Sequence, residues 1–246
     1  MQRAPFLFST AEKSSLAVLL IHGLAASPWE VLEVGKRAYE MGFNVYGVRL
    51  AGHGTTLDDF DRQTYRDWVQ SALDGYELIR HFSDRIILVG ESLGGLISLH
   101  LAEIHKGYGV VALAAPLYLK WSNRIPIAVL RHLKKFLDRS LAEKIQPYYY
   151  PKHSFHALEE MIQFAKVVKG DLRQIQQPIL LLQSENDIRV NPKSGMLIYQ
   201  QVQSKIKELV TFEKHKQVPH VMTTFQNPRL EEVLEKISQF LIHVST

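Results

Sequence analysis

Short apolar runs alternate along the chain with longer segments in which apolar side chains recur every three or four positions. The runs at 16–21, 44–48, 85–89, 109–114, 179–183 and 208–212 are rich in Val, Ile and Leu without strict alternation, which predicts strands buried on both faces. Parallel strands of this kind are joined by crossovers and covered by helices. The spacing predicts helices over 29–40, 65–81, 93–106, 194–203 and 230–244. In the last, Val233, Leu234, Ile237, Phe240 and Leu241 form one stripe, and Pro228 suits a position near its start. The expected architecture is α/β, a mostly parallel central sheet with helices on both faces.

The rhythm breaks between 116 and 174. This stretch holds Pro126, Pro147 and Pro151, the cluster Tyr148, Tyr149 and Tyr150, and helical patterns over 128–140 and 155–169. A structureless loop of that length is uncommon, so a small helical cap inserted after the fourth core strand is expected. The chain then divides into a core of 1–115 and 175–246 and a cap of 116–174. A longer crossover packed on the sheet is the plainer alternative.

Composition narrows the function class. Of 246 residues, 46% are hydrophobic and 22% charged, which is globular. The net charge of +4 comes from basic residues spread along the chain, so there is no stripe to follow a phosphate backbone and no nucleic-acid partner is expected. The densest basic group, Arg131, His132, Lys134 and Lys135, reads as a solvated helix face. The absence of cysteine removes disulfides, thiolate nucleophiles and Cys-ligated metals. Glu12 and Lys13 interrupt the early apolar stretch before it could serve as a signal peptide, and the run 16–21 is too short to cross a bilayer. A cytoplasmic protein without stable membrane insertion is the expectation.

The most informative segment is Gly90-Glu91-Ser92-Leu93-Gly94, a G-x-S-x-G directly after an apolar strand and before a helical pattern. A sharp strand-to-helix turn holds such a serine exposed, and the glycines let neighbouring backbone pass closely. A hydroxyl is a weak nucleophile at neutral pH and needs a base, which in turn needs an orienting partner.

On such an elbow the partners follow in the order serine, acid, histidine. The acid belongs just beyond a later strand, and the segment after 179–183 offers Glu185 and Asp187; Asp187, deeper in the loop, is the choice. Its plain role would be a turn or helix cap, in which Asn191 and Ser194 compete. The base belongs between the last strand and the last helix. His220 lies among apolar residues there, whereas His215 sits among charges and His243 is in the terminal helix. The oxyanion donors are expected to be the backbone N–H groups of Leu93, at a helix start, and of Leu24, in the loop after the first central strand. Gly23 would permit close approach, and His22 reads as a brace for this loop.

With these segments in hand, the chain resembles the α/β-hydrolase superfamily, and within it the small bacterial carboxylesterase and monoacylglycerol lipase group. The resemblance rests on Leu20-Ile21-His22-Gly23-Leu24, Gly52-His53-Gly54, Gly90 to Gly95, Asn186-Asp187, Asn191-Pro192 and Pro219-His220-Val221. Asp58-Asp59-Phe60 and Tyr65-Arg66-Asp67-Trp68 look like the loop and helix that follow the G-H-G segment in that group. Val218-Pro219 departs from the small or glycine-containing pair commoner before the histidine. The lack of a longer N-terminal hairpin suggests a reduced first part of the sheet.

The resemblance implies Ser92 as nucleophile, Asp187 as acid, His220 as base, Leu24 and Leu93 as oxyanion donors, an acyl-enzyme on the serine, and no cofactor or metal. It implies a small-molecule ester as partner, with short- to medium-chain esters or monoacylglycerols as substrates, acted on by a monomer or homodimer. Thioester, lactone or amide hydrolysis on the same fold, and a ligand-binding or interaction module without turnover, are the competing readings. Tyr118, Leu119, Trp121, Ile125, Ile127, Val129 and Leu130 make the cap apolar, whether for substrate or for its own packing. Arg124, Arg131 and Lys134 could draw an acidic acyl carrier or a phosphate-bearing substrate.

Overall fold

The computed structural model describes residues 3–10, 16–120 and 135–245. The six apolar runs form β2 (Ala17–Ile21), β3 (Asn44–Val48), β4 (Ile86–Glu91), β5 (Gly109–Leu113), β8 (Ile179–Ser184) and β9 (Lys207–Phe212). With β1 (Phe6–Phe8) they make one seven-stranded sheet in the order β1-β3-β2-β4-β5-β8-β9. All neighbours pair in parallel except β1 and β3. The strand order reverses at β2, so β4 lies mid-sheet with β2 and β5 on its flanks, and ligands of open α/β sheets bind at such strand ends.

Burial on both faces explains the runs. In β2, Ala17, Leu19 and Ile21 belong to one core cluster and Val18 and Leu20 to the other. The first cluster is closed by α3 (Tyr65–Ile79), α4 (Leu93–Glu103) and α6 (Lys193–Gln201), the second by α1 (Leu32–Glu40) and α7 (Leu230–Ser245). Burying each Leu, Ile or Val side chain contributes roughly 1.5–3 kcal/mol, offset by the entropy of ordering the chain. In α4, ten of the eleven residues are buried, because this helix is covered by the sheet on one side and by α5 (Phe155–Asp171) on the other.

Two elements differ from expectation near the N-terminal half. Phe6-Leu7-Phe8 is an antiparallel edge strand, too short for periodicity to reveal, held because the Phe6 ring sits against Gly35 and Gly47. The first part of the sheet is thus a single three-residue antiparallel strand. The segment after Gly52-His53-Gly54 is not loop but the helix α2 (Leu57–Arg62), where Thr56 Oγ1 accepts from the Asp59 N–H and two aspartates occupy the first turn.

Between β5 and β8 the chain leaves the sheet to form the cap region. Its β6 (Phe136–Asp138) and β7 (Lys152–Ser154) pair antiparallel, and α5 follows. The helix expected over 128–140 is therefore corrected at its end: Phe136–Asp138 is a strand, because its backbone pairs with Lys152–Ser154. Residues 121–134, with Trp121, Arg124, Ile125, Ile127, Val129, Leu130, Arg131, His132 and Lys134, lie outside the described residues. Lys135 is described, and its ammonium pairs with Asp58 and Asp61 at 3.0 and 3.2 Å. Among the described residues no helix is long and apolar enough to cross a membrane.

Candidate active site

Ser92 joins β4 to α4 with φ 55° and ψ −112°, a conformation an L-residue adopts only when its surroundings impose it. The imposing contacts are glycine contacts. A Cβ on Gly90 would lie 2.0 Å from the Gly94 carbonyl oxygen, and one on Gly94 would lie 2.0 Å from that of Ile21. The two glycines of the motif thus let α4 press against both the elbow and the end of β2.

Asp187 and His220 come from loops after β8 and β9 and meet at the same sheet edge. His220 Nε2 lies 3.0 Å from Ser92 Oγ, and His220 Nδ1 lies 2.7 Å from Asp187 Oδ2. With Nδ1–H donating to the carboxylate, the Nε2 lone pair faces the serine hydroxyl. Asp187 is fully buried, and its other oxygen accepts from the N–H groups of Arg189 (2.7 Å) and Val190 (2.9 Å). Burial works against its ionisation but is outweighed by the hydrogen bond and charge of His220 and by those two amides, so its carboxyl stays below the ordinary range.

The other candidates stand elsewhere. Glu185 is exposed and accepts from the Lys214 N–H at 3.2 Å. The exposed His215 lies 3.0 Å from Glu213, and His243 is exposed on α7. Asn191 caps the Lys193 N–H at 3.0 Å, while the Ser194 hydroxyl accepts from the Tyr118 N–H, also at 3.0 Å. Val218-Pro219 leaves His220 in place: Val218 is buried, and its carbonyl accepts from Ser184 Oγ at 2.6 Å.

The loop after β2 is fixed by two buried, neutral histidines. His22 donates from Nδ1 to the Gly23 carbonyl at 2.9 Å and accepts the Leu50 N–H at Nε2, 3.3 Å away. His53 donates to the Ala51 carbonyl at 3.0 Å and accepts from the Ala25 N–H at 3.1 Å. Burial lowers His22 to about 4 and His53 well below its ordinary value. The Gly23 N–H donates to Glu30 Oε2 at 2.6 Å, so the amides on both sides of Leu24 are engaged. Leu93 is the first residue of α4, where no i−4 carbonyl exists within the helix for its N–H.

Beneath these residues lies a polar layer that periodicity could not reveal. Glu91 and Glu30 are both buried. Glu30 Oε1 accepts from the Tyr149 hydroxyl at 2.9 Å, and Glu91 accepts from the N–H groups of Met222 (3.1 Å) and Thr223 (3.1 Å). Tyr150 donates to the Gly52 carbonyl at 2.7 Å, and Tyr148 stacks on Trp29 with centroids 3.8 Å apart. The tyrosine cluster therefore stitches the cap to the core loops. The only advance sign was three adjacent tyrosines in an otherwise irregular stretch.

Ser92 and His220 open into a cavity of about 310 Å³. Leu24, Leu119, Phe155, Leu158 and Met161 make its wall mostly apolar, with His153 and Arg189 as polar members. Leu137 and Ile188 line it while remaining 42% and 73% exposed, which sets them at its rim. Among the described residues no group of three or more His, Asp or Glu side chains is arranged to hold a metal ion.

Comparison with known proteins accords with this architecture. A carboxylesterase of Bacillus subtilis (strain 168) is 29% identical over 227 residues, spanning 89% of each chain. A thermostable monoacylglycerol lipase of Bacillus sp. (strain H-257) is 29% identical over 205 residues, 81% of this chain and 82% of that one. Among solved structures, one from work on the metagenome-derived lipolytic enzymes LipS and LipT superimposes with a TM-score of 0.86 at 25% identity, covering 98% of both chains. The monoacylglycerol lipase of Paleococcus ferrophilus shares the fold, with a TM-score of 0.81 at 21% identity over 99% of this chain and 100% of that one. Residues 18–229, from the first parallel strand to the threshold of the last helix, match the alpha/beta hydrolase family, to which this chain belongs.

Proposed function

We propose that the protein is a carboxylic ester hydrolase in which Ser92 is the nucleophile, His220 the general base and Asp187 the orienting acid. The observation that carries this reading is the line from Asp187 Oδ2 to His220 Nδ1 (2.7 Å) and from His220 Nε2 to Ser92 Oγ (3.0 Å), opening into an apolar cavity. His220 takes the hydroxyl proton as Ser92 Oγ attacks the ester carbonyl. The tetrahedral oxyanion is received by the N–H groups of Leu24 and Leu93, each worth about 3–4 kcal/mol in the transition state. Collapse expels the alcohol, which takes the proton from His220, and leaves an acyl-enzyme. Water, deprotonated by the same imidazole, then releases the acid and restores the serine.

The substrate is a small uncharged ester with a short or medium acyl chain, or a monoacylglycerol. The apolar wall accommodates an acyl group, and relatives named as a carboxylesterase and a monoacylglycerol lipase match four-fifths or more of the chain. Residues 116–174 act as a cap over a core of 1–115 and 175–246. A fluorophosphonate probe and chromogenic esters of increasing acyl length test this. Covalent labelling at Ser92 and turnover, both lost in Ser92→Ala, are expected; folded protein that neither reacts nor turns over esters would refute the assignment.

A further inference from the structure

Glu91 precedes the nucleophile candidate and is buried, and its carboxyl meets the chain just beyond His220. Its Oε1 receives the Met222 N–H at 3.1 Å, and its Oε2 receives the Thr223 N–H at 3.1 Å. Thr223 Oγ1 lies 2.6 Å from Glu91 Oε2 and also 2.6 Å from the backbone carbonyl oxygen of Glu30. A threonine hydroxyl has one proton. The Glu30 carbonyl can only accept, so at 2.6 Å that proton belongs to it. The equally short contact to Glu91 Oε2 is then a hydrogen bond only if the proton is on Glu91. A carboxylic acid satisfies the hydroxyl contacts, because its hydroxyl oxygen donates to Thr223 Oγ1 while the carboxyl still accepts the Thr223 N–H and the Met222 N–H, which is shared between Oε1 (3.1 Å) and Oε2 (3.2 Å). Ionised Glu91 would set two lone-pair oxygens against each other.

We propose that Glu91 is held as a neutral carboxylic acid and is a positioning residue, tying the loop that carries His220 to the elbow that carries Ser92 through Thr223. The assignment rests on the serine hydrolase reading for its consequence but not for its geometry. Only two residues separate Thr223 from His220 along the chain, so the Glu91 clamp fixes the distance across which the imidazole must reach. Continuation from Thr223 to Glu30, and from Glu30 to the Gly23 N–H at 2.6 Å, brings the loop bearing the Leu24 amide into the same network.

The electrostatic surroundings favour the neutral form. Glu91 has no exposure, and burial pushes its carboxyl up to about 8, with the neighbouring Glu30 carboxyl adding to the rise and the donors of Thr223 and Met222 opposing it. The other ionisable groups of this network are Tyr149 and Arg139 from the cap, and His220 on the far side of the clamp. Arg139 lies over the Tyr149 ring, 4.9 Å from its centroid, and its charge acts on Glu30 and Tyr149. Burial also raises the Glu30 carboxyl, so ionising Glu91 adds a negative charge beside a second buried acid and breaks the Thr223 bond that seats His220.

Two measurements test this. Difference infrared spectra of wild type and Glu91→Gln at about pH 7 should show a neutral carboxylic acid carbonyl band that the variant lacks and that disappears as pH rises through about 8. The band is read without turnover, so an inactive protein that shows it keeps this assignment and counts against the hydrolase reading alone. In ester hydrolysis followed from about pH 6 to about pH 10, wild-type kcat should fall on the alkaline side, while Glu91→Gln, lower at neutral pH, should lack that decline. Should Glu91→Gln not fold, Thr223→Val is expected to lower kcat on the order of tenfold with KM within about twofold, and Thr223→Ser to recover most of the loss. An ionised Glu91 in folded wild type at neutral pH, an alkaline limb unchanged in Glu91→Gln, or a wild-type kcat in Thr223→Val would overturn the proposal.

Discussion

The Tyr149 hydroxyl donates to the Glu30 carboxyl at 2.9 Å across 119 positions of sequence, and both groups are buried. One phenol thereby joins the cap to the carboxyl whose second oxygen holds the Gly23 amide. Removing it strands an acceptor that water cannot easily reach. Tyr149→Phe should cost about 1–3 kcal/mol, the scale for leaving a buried polar group unsatisfied, and lower kcat as the loop bearing Leu24 loosens. Urea unfolding and ester turnover measure the two effects; unchanged stability would show that the contact carries no load.

Asp187→Asn keeps the shape of the acid but offers an amide to His220 Nδ1, favouring the wrong tautomer. A loss of about 10⁴ in kcat is expected, and His220→Ala should lose at least as much. His215→Ala should be within about twofold of wild type, since that exposed ring pairs with Glu213 on the surface. Equal losses in folded His215→Ala and His220→Ala would reverse the histidine assignment.

Gly94→Ala places a methyl where the Ile21 carbonyl oxygen lies 2.0 Å away, a contact that neither backbone can relieve without parting the elbow from β2. It should fail to fold, or lose several kcal/mol along with all serine labelling. Gly170→Ala is the control: a Cβ there meets nothing within 4 Å, and the exposed helical site should gain about 0.5–1 kcal/mol. Thermal denaturation of the two variants should move in opposite directions.

Burial, with the charges of Arg139 and Arg189, lowers His153 from 6.5 to about 3. Its folded pKa is below the unfolded one, so its contribution is whole above about 6.5 and lost as pH falls toward about 3. His153→Gln removes this dependence. Its stability relative to wild type should improve by about 1–2 kcal/mol between about pH 7 and about pH 5, read from urea midpoints. Glu91 acts with the opposite sign: raised from 4.5 to about 8, it stabilises fully below 4.5 and loses that contribution as pH rises through about 8.

The strands were legible to within one or two residues because a strand covered on both faces must be apolar throughout, as Ile86-Ile87-Leu88-Val89 is. Phe6–Phe8 and the pairing of Phe136–Asp138 with Lys152–Ser154 were not, since three-residue strands carry no period and depend on a partner far along the chain. The meeting of Ser92, Asp187 and His220 followed from their places after β4, β8 and β9, parallel strands of one sheet. The layer beneath them did not: Glu91 reads as one variable letter of a motif, Glu30 as a helix residue and Thr223 as loop, and only the fold brings Glu91 and Thr223, 132 positions apart, into contact.

Leu137 and Ile188 stand at the threshold of the cavity, one on the cap and the other next to Asp187 on the same loop, and both show much of their surface to water. Neither side chain belongs to the two large cores that hold the sheet. The width of the doorway can thus change without repacking those two cores. Selection can widen or narrow the range of guests at that point while the machinery inside stays as it is.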